Sequence, residues 1–177
     1  VTSAMQLPGS AIRDRIGVWK EGESPGDHKV VPRLVVGDDF LPFFNIQPVA
    51  GRIFQNNKHS FKEEQEFMAK YHGEKIRANI TEEYVLNQKA IKLLGFDSPE
   101  QAIGKHIYFS QGTIDYINNG IIVGVTENFN YTTTYEDSIP QILLQRAIFQ
   151  TCFMVYFSPD QVEKAIDTFN RVWSEIN

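Results

Sequence analysis

The sequence predicts an α+β fold, and two strand-to-helix units predict it. Near the carboxyl end, the run "CFMVYF" precedes apolar residues that recur every three or four positions from Val162 to Ile176. Aromatic and branched runs are typical of a buried strand, and the recurrence is typical of an amphipathic helix. The second unit passes from "EYVL" into "NQKAIKLLG". The chain therefore alternates short strands with short helices.

Capping residues set the bounds of these helices. Ser158 and Pro159 are expected to begin the last helix, because a hydroxyl can accept from an orphan amide and proline tolerates the first turn. Asn87 is expected to cap the helix of the second unit, and Gly95 to end it in a left-handed conformation. Ser98 repeats the capping pattern and predicts one more helical turn that ends near residue 104.

The middle of the chain adds a predicted hairpin. The segments "KHIYFS" and "GIIVGVTENF" read as two strands, and Asn119-Gly120 supplies the turn signal between them. Earlier, "KVVPRLVVG" reads as a strand in which Pro32 predicts an edge or a bulge, because proline lacks the amide donor. A charged helix is predicted from Ser60 to Tyr71, with a Ser60/Glu63 capping box.

The stretch "DDFLPFFNIQPVAGRIF" is unusually aromatic. Asp39 predicts the cap of a short helix in which Phe40 and two further phenylalanines, at i+3 and i+4, share one buried face. Asn45 is expected to end that helix in a left-handed conformation, and Val49 to Gly51 to turn the chain back to the core. We therefore interpret the stretch as structural rather than as a surface for a lipid or a membrane.

Composition restricts the kind of protein. The 177 residues are 42% hydrophobic and 22% charged, with a net charge of −5. This balance is typical of a water-soluble globular chain, and without clustered Lys and Arg it argues against nucleic acid binding. The single cysteine, Cys152, excludes an internal disulfide and lies in an apolar run, where a buried thiol is usual. No apolar run approaches the roughly 20 residues that a membrane span requires.

No residue pattern predicts catalysis, a cofactor or a metal. The four histidines are scattered, no Gly-rich phosphate loop is present, and no GxSxG elbow surrounds a serine. Four acidic pairs occur, and adjacent carboxylates usually point apart, so we expect solvated faces and helix caps rather than acid/base partners. The pairs are Asp38/Asp39, Glu63/Glu64, Glu82/Glu83 and Glu136/Asp137.

Three blocks resemble the MacB-like periplasmic core domain of FtsX-like ABC transporter permeases. The first contains Asp39-Phe40-Leu41, Ile46 and the run "VAGRIF". The second is "YVLNQKAIKLLGFDSPEQAIGKHI", from Tyr84 to Ile107, and the third is "GIIVGVTENFNYTTTYEDSIPQIL", from Gly120 to Leu143. Short variants of this pattern are similar to those of Bacteroides-type bacteria. Asn128 stands where the family often has Asp, and Thr133-Thr134 replaces the usual Ser-Leu.

The resemblance implies an α+β fold of two lobes. A Porter-like, membrane-proximal lobe would be formed by both chain ends, approximately residues 1–55 and 145–177. A Sabin-like α/β lobe, approximately residues 56–144, would be inserted between them. The helix from Ser60 to Tyr71 would be an insertion into the family pattern.

The resemblance also implies a setting and partners. The chain would be the periplasmic domain of a bacterial inner-membrane permease, lying between the first two transmembrane helices, and non-catalytic. Its partners would be a cytoplasmic ABC ATPase, reached through those helices, and a periplasmic adaptor, lipoprotein, peptide or cell-wall hydrolase. The full transporter would be a homodimer, and no cofactor is implied.

Two other functions stay open at this point. One is a small-molecule sensor whose site is lined by the loop aromatics Phe129, Tyr131 and Tyr135, which are also the candidate contacts for a partner. Aromatic rings packed between lobes would explain the same residues. The other is an enzyme acting on cell-wall material, which requires paired carboxylates in a cleft.

Overall fold

The computed structural model describes residues 1–55, 62, 64–65, 81–110, 117–132 and 137–176. The predicted α+β fold is confirmed, since a mixed sheet is combined with a few helices. The predicted helix from Ser60 to Tyr71 falls almost wholly outside these residues. The strands are β1 (Thr2–Ala4), β2 (Arg15–Lys20), β3 (Lys29–Val35), β4 (Pro48–Gly51), β5 (Thr81–Asn87), β6 (His106–Ser110), β7 (Ile117–Thr126), β8 (Ile142–Leu144) and β9 (Cys152–Met154). The helices are α1 (Phe40–Phe43), α2 (Gln88–Leu93), α3 (Pro99–Ala102) and α4 (Val162–Ile176).

Seven of the strands form one mixed sheet in the order β4-β7-β5-β8-β3-β2-β6. Strand β6 also pairs with the first half of β7, so six strands close into a ring. Strand β4 continues the sheet along the second half of β7. Closure removes the free edges that an open sheet would expose.

The first core fills the interior of this ring. Every strand of the ring contributes buried side chains to it, for example Val18, Tyr84, Phe109 and Ile122. Helices α2 and α3 add Ala90, Ile91, Leu94 and Ala102 to the same core. Alternation along each strand turns every second residue outward, and those residues form another apolar layer.

The second core lies on the outer face of β3, β8, β5 and β7. It contains Leu34, Leu143, Val85 and Val123 from those strands, and it is covered by α1 through Phe40 and Leu41. The loop after β7 adds Phe129 and Tyr131. The aromatic stretch is therefore part of a core, as predicted.

The capping predictions are confirmed in the second unit. The Asn87 Oδ1 accepts from the Ala90 amide at 2.9 Å, and the Ser98 hydroxyl accepts from the Gln101 amide at 3.4 Å. Gly95 has φ +78° and Asn45 has φ +54°, so both are left-handed. Asp39 and Ser158 occupy N-cap positions, but neither side chain makes a capping hydrogen bond.

Three turn or edge predictions are wrong. Asn119-Gly120 lies inside β7, with Gly120 beneath the Tyr84 ring. Val49 to Gly51 belongs to β4 and pairs with β7 instead of turning the chain. Pro32 is in neither an edge strand nor a bulge: β3 pairs with β2 up to Pro32 and with β8 from Arg33, so the missing donor falls where the partner changes.

Strands β1 and β9 form a separate antiparallel sheet, with Thr2 opposite Met154 and Ala4 opposite Cys152. One face, with Ala4 and Met154, packs on the second core. The other face carries Phe153, which is 70% exposed, so the predicted burial of "CFMVYF" is wrong. Only three of its residues, Cys152 to Met154, are in a strand, and they pair with the three residues of β1.

The predicted division into lobes at residues 55/56 and 144/145 stays a prediction. The seven-stranded sheet takes β2, β3 and β4 from one side of the first boundary and β5 to β8 from the other. Among the described helices, none is both long enough and apolar enough to cross a bilayer.

Candidate functional site

The loop after β7 carries the aromatic residues that the sequence suggests as contacts. Phe129 is half-buried against the second core, and Tyr131 is 4% exposed. Tyr135 lies outside the described residues. The loop is fixed to α2, since the Asn128 Oδ1 accepts from the Lys89 amide at 2.9 Å and the Lys89 ammonium donates to the Ser138 carbonyl at 2.6 Å.

Tyr131 joins this loop to the amino-terminal segment. Its ring centroid is 5.5 Å from that of Phe40 and 6.1 Å from that of Phe44. Its hydroxyl donates to the Gln6 carbonyl at 2.5 Å, and its carbonyl accepts from the Gly9 amide at 2.8 Å. Burial raises the pKa of the Tyr131 hydroxyl far above its usual range. The side chain is thus a packed tether, and its role in contacting a ligand or partner stays a prediction.

Tyr131→Phe is expected to lower the free energy of unfolding by about 1 kcal/mol, because the Gln6 carbonyl loses its donor while the ring packing stays. Urea denaturation measures the change. Tyr156→Phe is the matched control, since Tyr156 is 83% exposed, and it should change stability by much less. Equal effects of the two substitutions on the free energy of unfolding would contradict the interpretation of Tyr131 as a tether.

Adjacent carboxylates of β5 point to opposite faces, as expected, but they are not solvated. Glu82 is buried, forms an ion pair with Arg146 and accepts from the Tyr84 hydroxyl at 2.8 Å. Glu83 accepts two bonds from the Arg52 guanidinium, at 3.0 and 2.5 Å. The hydrogen bond to Glu83 raises the pKa of Arg52. The expectation of a solvated pair is wrong here, because each carboxylate meets an arginine distant in sequence.

Another arginine lies inside the ring. Arg33 is 4% exposed, and its Nε donates to the Asp14 Oδ2 at 2.6 Å. The Arg33 guanidinium lies 5.6 Å from the Phe109 ring centroid, and burial raises the pKa of Tyr84 nearby. Buried charges are tolerated only when they are paired. The pair of Arg33 and Asp14 therefore constrains the closed ring of strands. The described carboxylates of β5 are thus engaged in structural pairs.

A row of buried polar side chains lies at the end of β7, at the end of β5 and just before β8: Thr126, Asn87 and Gln141. Asn87 is satisfied, since its amide accepts from the Ala90 and Gln141 amides and donates to the Ile139 carbonyl. The Thr126 hydroxyl and both amide atoms of Gln141 are buried, and none of them has a hydrogen-bond partner among the residues that the structure describes. Sequence patterns did not predict this row, because the packing of three strands decides which of these polar atoms has a hydrogen-bond partner.

Gln141→Met is expected to leave stability unchanged or to raise it by about 1 kcal/mol, because an apolar isostere removes two unpaired polar atoms and keeps the volume. Thermal unfolding followed by circular dichroism measures this. Asn87→Met, in the same row but with its hydrogen bonds made, is the contrasting variant and should be strongly destabilising. A loss of stability in Gln141→Met would mean that its amide has partners after all.

An exposed apolar surface, which the sequence did not predict, lies near the carboxyl end of the chain. We define the terminal apolar surface by side chains that are 38–70% exposed: Phe153, Val155, Val162, Ile166, Phe169, Val172 and Trp173. A groove of about 390 Å³ runs between Val155 and α4. Neither Phe129 nor Tyr131 is among the described residues that line this groove. Large exposed apolar patches mark sites where a protein binds another protein, a membrane or a ligand.

Comparisons with known proteins give matches among solved structures only. No protein-family model and no curated protein matches the sequence. The extracellular domain of the noncanonic ABC-type transporter YknZ from Gram-positive bacteria is 11% identical, with a TM-score of 0.49, over 92% of this chain and 67% of that chain. A domain assigned to a permease protein from Porphyromonas gingivalis is 13% identical, with a TM-score of 0.47, over 94% and 71%. The periplasmic region of MacB from Actinobacillus actinomycetemcomitans is 9% identical, with a TM-score of 0.49, over 97% and 64%.

All three structures are below 25% identity and below a TM-score of 0.5. At such identities and TM-scores they give no residue of this chain a role. The chain spans about two thirds of each of them.

Proposed function

We propose that the chain is the extracytoplasmic domain of an ABC transporter permease and that it transmits ATP-driven motion without catalysing a reaction. The observation that carries the proposal is the placement of the three blocks. Separated in sequence, they supply β4, β5, β7 and β8, which are consecutive neighbours in the sheet order β4-β7-β5-β8. A family pattern that assembles into one continuous part of the fold supports the assignment.

Transmission of motion requires a body that moves as one piece. The closed ring offers this, because its strands leave few free edges and its arginines are held by carboxylates from distant segments. The pairing of β1 with β9 brings segments near both ends of the sequence together. This supports the proposed membrane-proximal Porter-like lobe, through which transmembrane helices would act on the domain.

The proposed partners follow from this role. A cytoplasmic ATPase would supply the motion, and two permease copies would form the transporter. A periplasmic adaptor, lipoprotein or peptide would receive the motion. The sensor alternative needs an open pocket beside Phe129 and Tyr131, and both side chains are packed against the second core.

Electron spin resonance on the full-length transporter tests the transmission. Cysteines replace the exposed Glu21 and Asp97 in a Cys152→Ser background and are spin-labelled. We expect the Glu21–Asp97 distance within one domain to stay constant between the nucleotide-free and ATP-bound states. The distance between single labels at residue 97 on two copies should change. A constant distance between copies, or a change confined to the interior of the domain, would contradict the proposal.

A further inference from the structure

Strand β9 is the outer strand of the small sheet that it forms with β1. Its neighbour β1 lies between β9 and the body, since the Gly37 amide donates to the Ser3 carbonyl at 2.8 Å. The Met5 amide, two residues further on, donates to the Val35 carbonyl at 2.9 Å. One edge of β1 is therefore bonded to the body, and its other edge is bonded to β9.

Phe153, the middle residue of β9, turns its backbone away from this sheet. Backbone groups alternate in direction along a strand, so the residue opposite Ser3 does not bond to β1, whereas the residues on either side of it do. That residue is Phe153, and no described residue bonds to its amide or its carbonyl. Its side chain is 70% exposed. A donor, an acceptor and an aromatic ring are thus all accessible at the edge.

The edge of β9 lacks most of the features that usually protect an edge strand. Proteins protect such strands with lysine, with proline or with a bulge. Residues 151–157, "TCFMVYF", contain no charged residue and no proline, and β9 pairs with β1 without a shift in register. The remaining protective feature is that β9 is short, which limits the strength of a further pairing but leaves its geometry possible.

Charge favours a second copy of this chain as the partner of the edge. Residues 1–12 and 147–159 include both strands of the small sheet and contain no charged side chain, although 22% of the whole sequence is charged. A two-fold interface places equal charges opposite each other near its axis, so self-pairing requires a neutral surface. Anionic bilayers attract segments rich in Lys and Arg, and these two segments contain neither.

We propose that β9 pairs with β9 of a second copy, antiparallel about a two-fold axis, with Phe153 opposite its counterpart. In this register each Phe153 amide donates to the other copy's Phe153 carbonyl, and the strands form one continuous sheet in the order β1-β9-β9-β1. The two rings lie side by side, with Cβ atoms about 5 Å apart, as in an aromatic cross-strand pair. Such an interface buries on the order of 700 Å², which is less than a stable complex needs, so the association is weak.

Sedimentation equilibrium of the 177-residue chain between about 20 µM and 1 mM tests the association, with an expected Kd on the order of 100 µM. Hydrogen exchange measured by NMR tests the site. The Phe153 amide should exchange about four-fold more slowly at 1 mM than at 20 µM, because the monomeric fraction falls from about four fifths to about one fifth. The Gly22 amide, which lies in an exposed turn outside the small sheet, should exchange equally at both concentrations.

Phe153→Lys should raise the Kd by at least about 30-fold, because it places two like charges opposite each other at the axis. Val30→Lys is the matched control, since it adds the same charge to another strand residue that is 54% exposed, and it should leave the Kd within about two-fold. A mixture of Phe153→Lys with Phe153→Asp should associate at least about five-fold more tightly than either variant alone, because opposite charges then face each other. Each variant should unfold at nearly the wild-type temperature, because the replaced side chains are exposed.

A chain that stays monomeric at about 1 mM would overturn the proposal, since that is about ten times the expected Kd. So would a dimer that tolerates Phe153→Lys, or a dimer in which the Phe153 amide exchanges as fast as in the monomer. Co-sedimentation with vesicles of phosphatidylethanolamine and phosphatidylglycerol, abolished by Phe153→Asp, would assign the edge to a bilayer and overturn it as well. The inference concerns the chain by itself and does not depend on the proposed transport function.

Discussion

Gly51→Ala is expected to destabilise the protein by about 3–5 kcal/mol, although residue 51 is exposed. A Cβ at this position would lie 2.2 Å from the Val123 carbonyl oxygen and 2.6 Å from a methyl carbon of Ile103. The backbone is also left-handed, with φ +71°, which costs an L-residue about 1–2 kcal/mol. The neighbouring atom is backbone, so β4 must move away from β7 to make room.

Gly22→Ala separates the two causes of the expected destabilisation, which are the steric contact and the left-handed backbone. Gly22 has φ +86°, but nothing lies within 4 Å of its Cβ position, so only the conformational cost of about 1–2 kcal/mol applies. Urea denaturation of both variants measures the difference, which we assign to the contact between β4 and β7. Equal losses in the free energy of unfolding of the two variants would mean that β4 is not held against β7. The glycine in "VAGRIF" would then be a turn residue, as the sequence alone suggested.

Asn87→Ala is expected to destabilise the protein by about 3–4 kcal/mol, because two groups in buried bonds and one in a half-buried bond lose their partners at once. The Ala90 and Gln141 amides lose an acceptor at 2.9 and 3.0 Å, and the Ile139 carbonyl loses a donor at 2.7 Å. Asn87 is 1% exposed, so water does not replace these bonds without rearrangement. The substitution therefore removes a helix cap and the side-chain bonds between β5 and the segment before β8, while the backbone bond from the Asn87 amide to the Gln141 carbonyl stays.

Ser98→Ala provides the comparison, because Ser98 caps α3 through a single exposed bond of 3.4 Å. Its loss should cost about 0.5–1 kcal/mol. Hydrogen exchange should also distinguish the variants: Asn87→Ala should expose the Gln141 and Ala90 amides, whereas Ser98→Ala should affect the first turn of α3 only. If Asn87→Ala costs no more than Ser98→Ala, Asn87 is an ordinary cap and the link to β8 is absent.

Local signals in the sequence predicted the unit from β5 to β6 well. Asn87, Gly95 and Ser98 act on backbone groups within a few residues of themselves, so a single sequence contains the whole interaction. The same reasoning placed Phe40 and Phe44 correctly in the second core, but Phe43, predicted on the same face, is only half-buried and is not among the residues of that core. These elements were predictable because their causes are local.

Signals that depend on distant segments were misread. Asn119-Gly120 has the composition of a turn, but the glycine is needed because the Tyr84 ring would lie 2.3 Å from a Cβ there. Glu82 and Glu83 were expected in solvent, and their partners, Arg146 and Arg52, come from far along the chain. The spacing in α4 predicted an apolar face correctly, but periodicity does not reveal what covers that face.

The candidate contact residues show the same limit. The aromatic composition of the loop after β7 suggested a binding site, and it is equally the composition of a core. Tyr131 is identified as a tether only by its contacts with Gln6, Phe40 and Phe44. The exposed surface lies instead around α4, in a segment that the sequence predicted to be a buried strand and an amphipathic helix.

Affinity purification of the full-length protein from its native membrane, followed by mass spectrometry, tests the central claim most directly. A permease of the proposed kind should co-purify with an ATP-binding subunit or contain one in its own polypeptide, and the complex should hydrolyse ATP. A protein that is recovered intact without any ATP-binding subunit or domain would contradict the account.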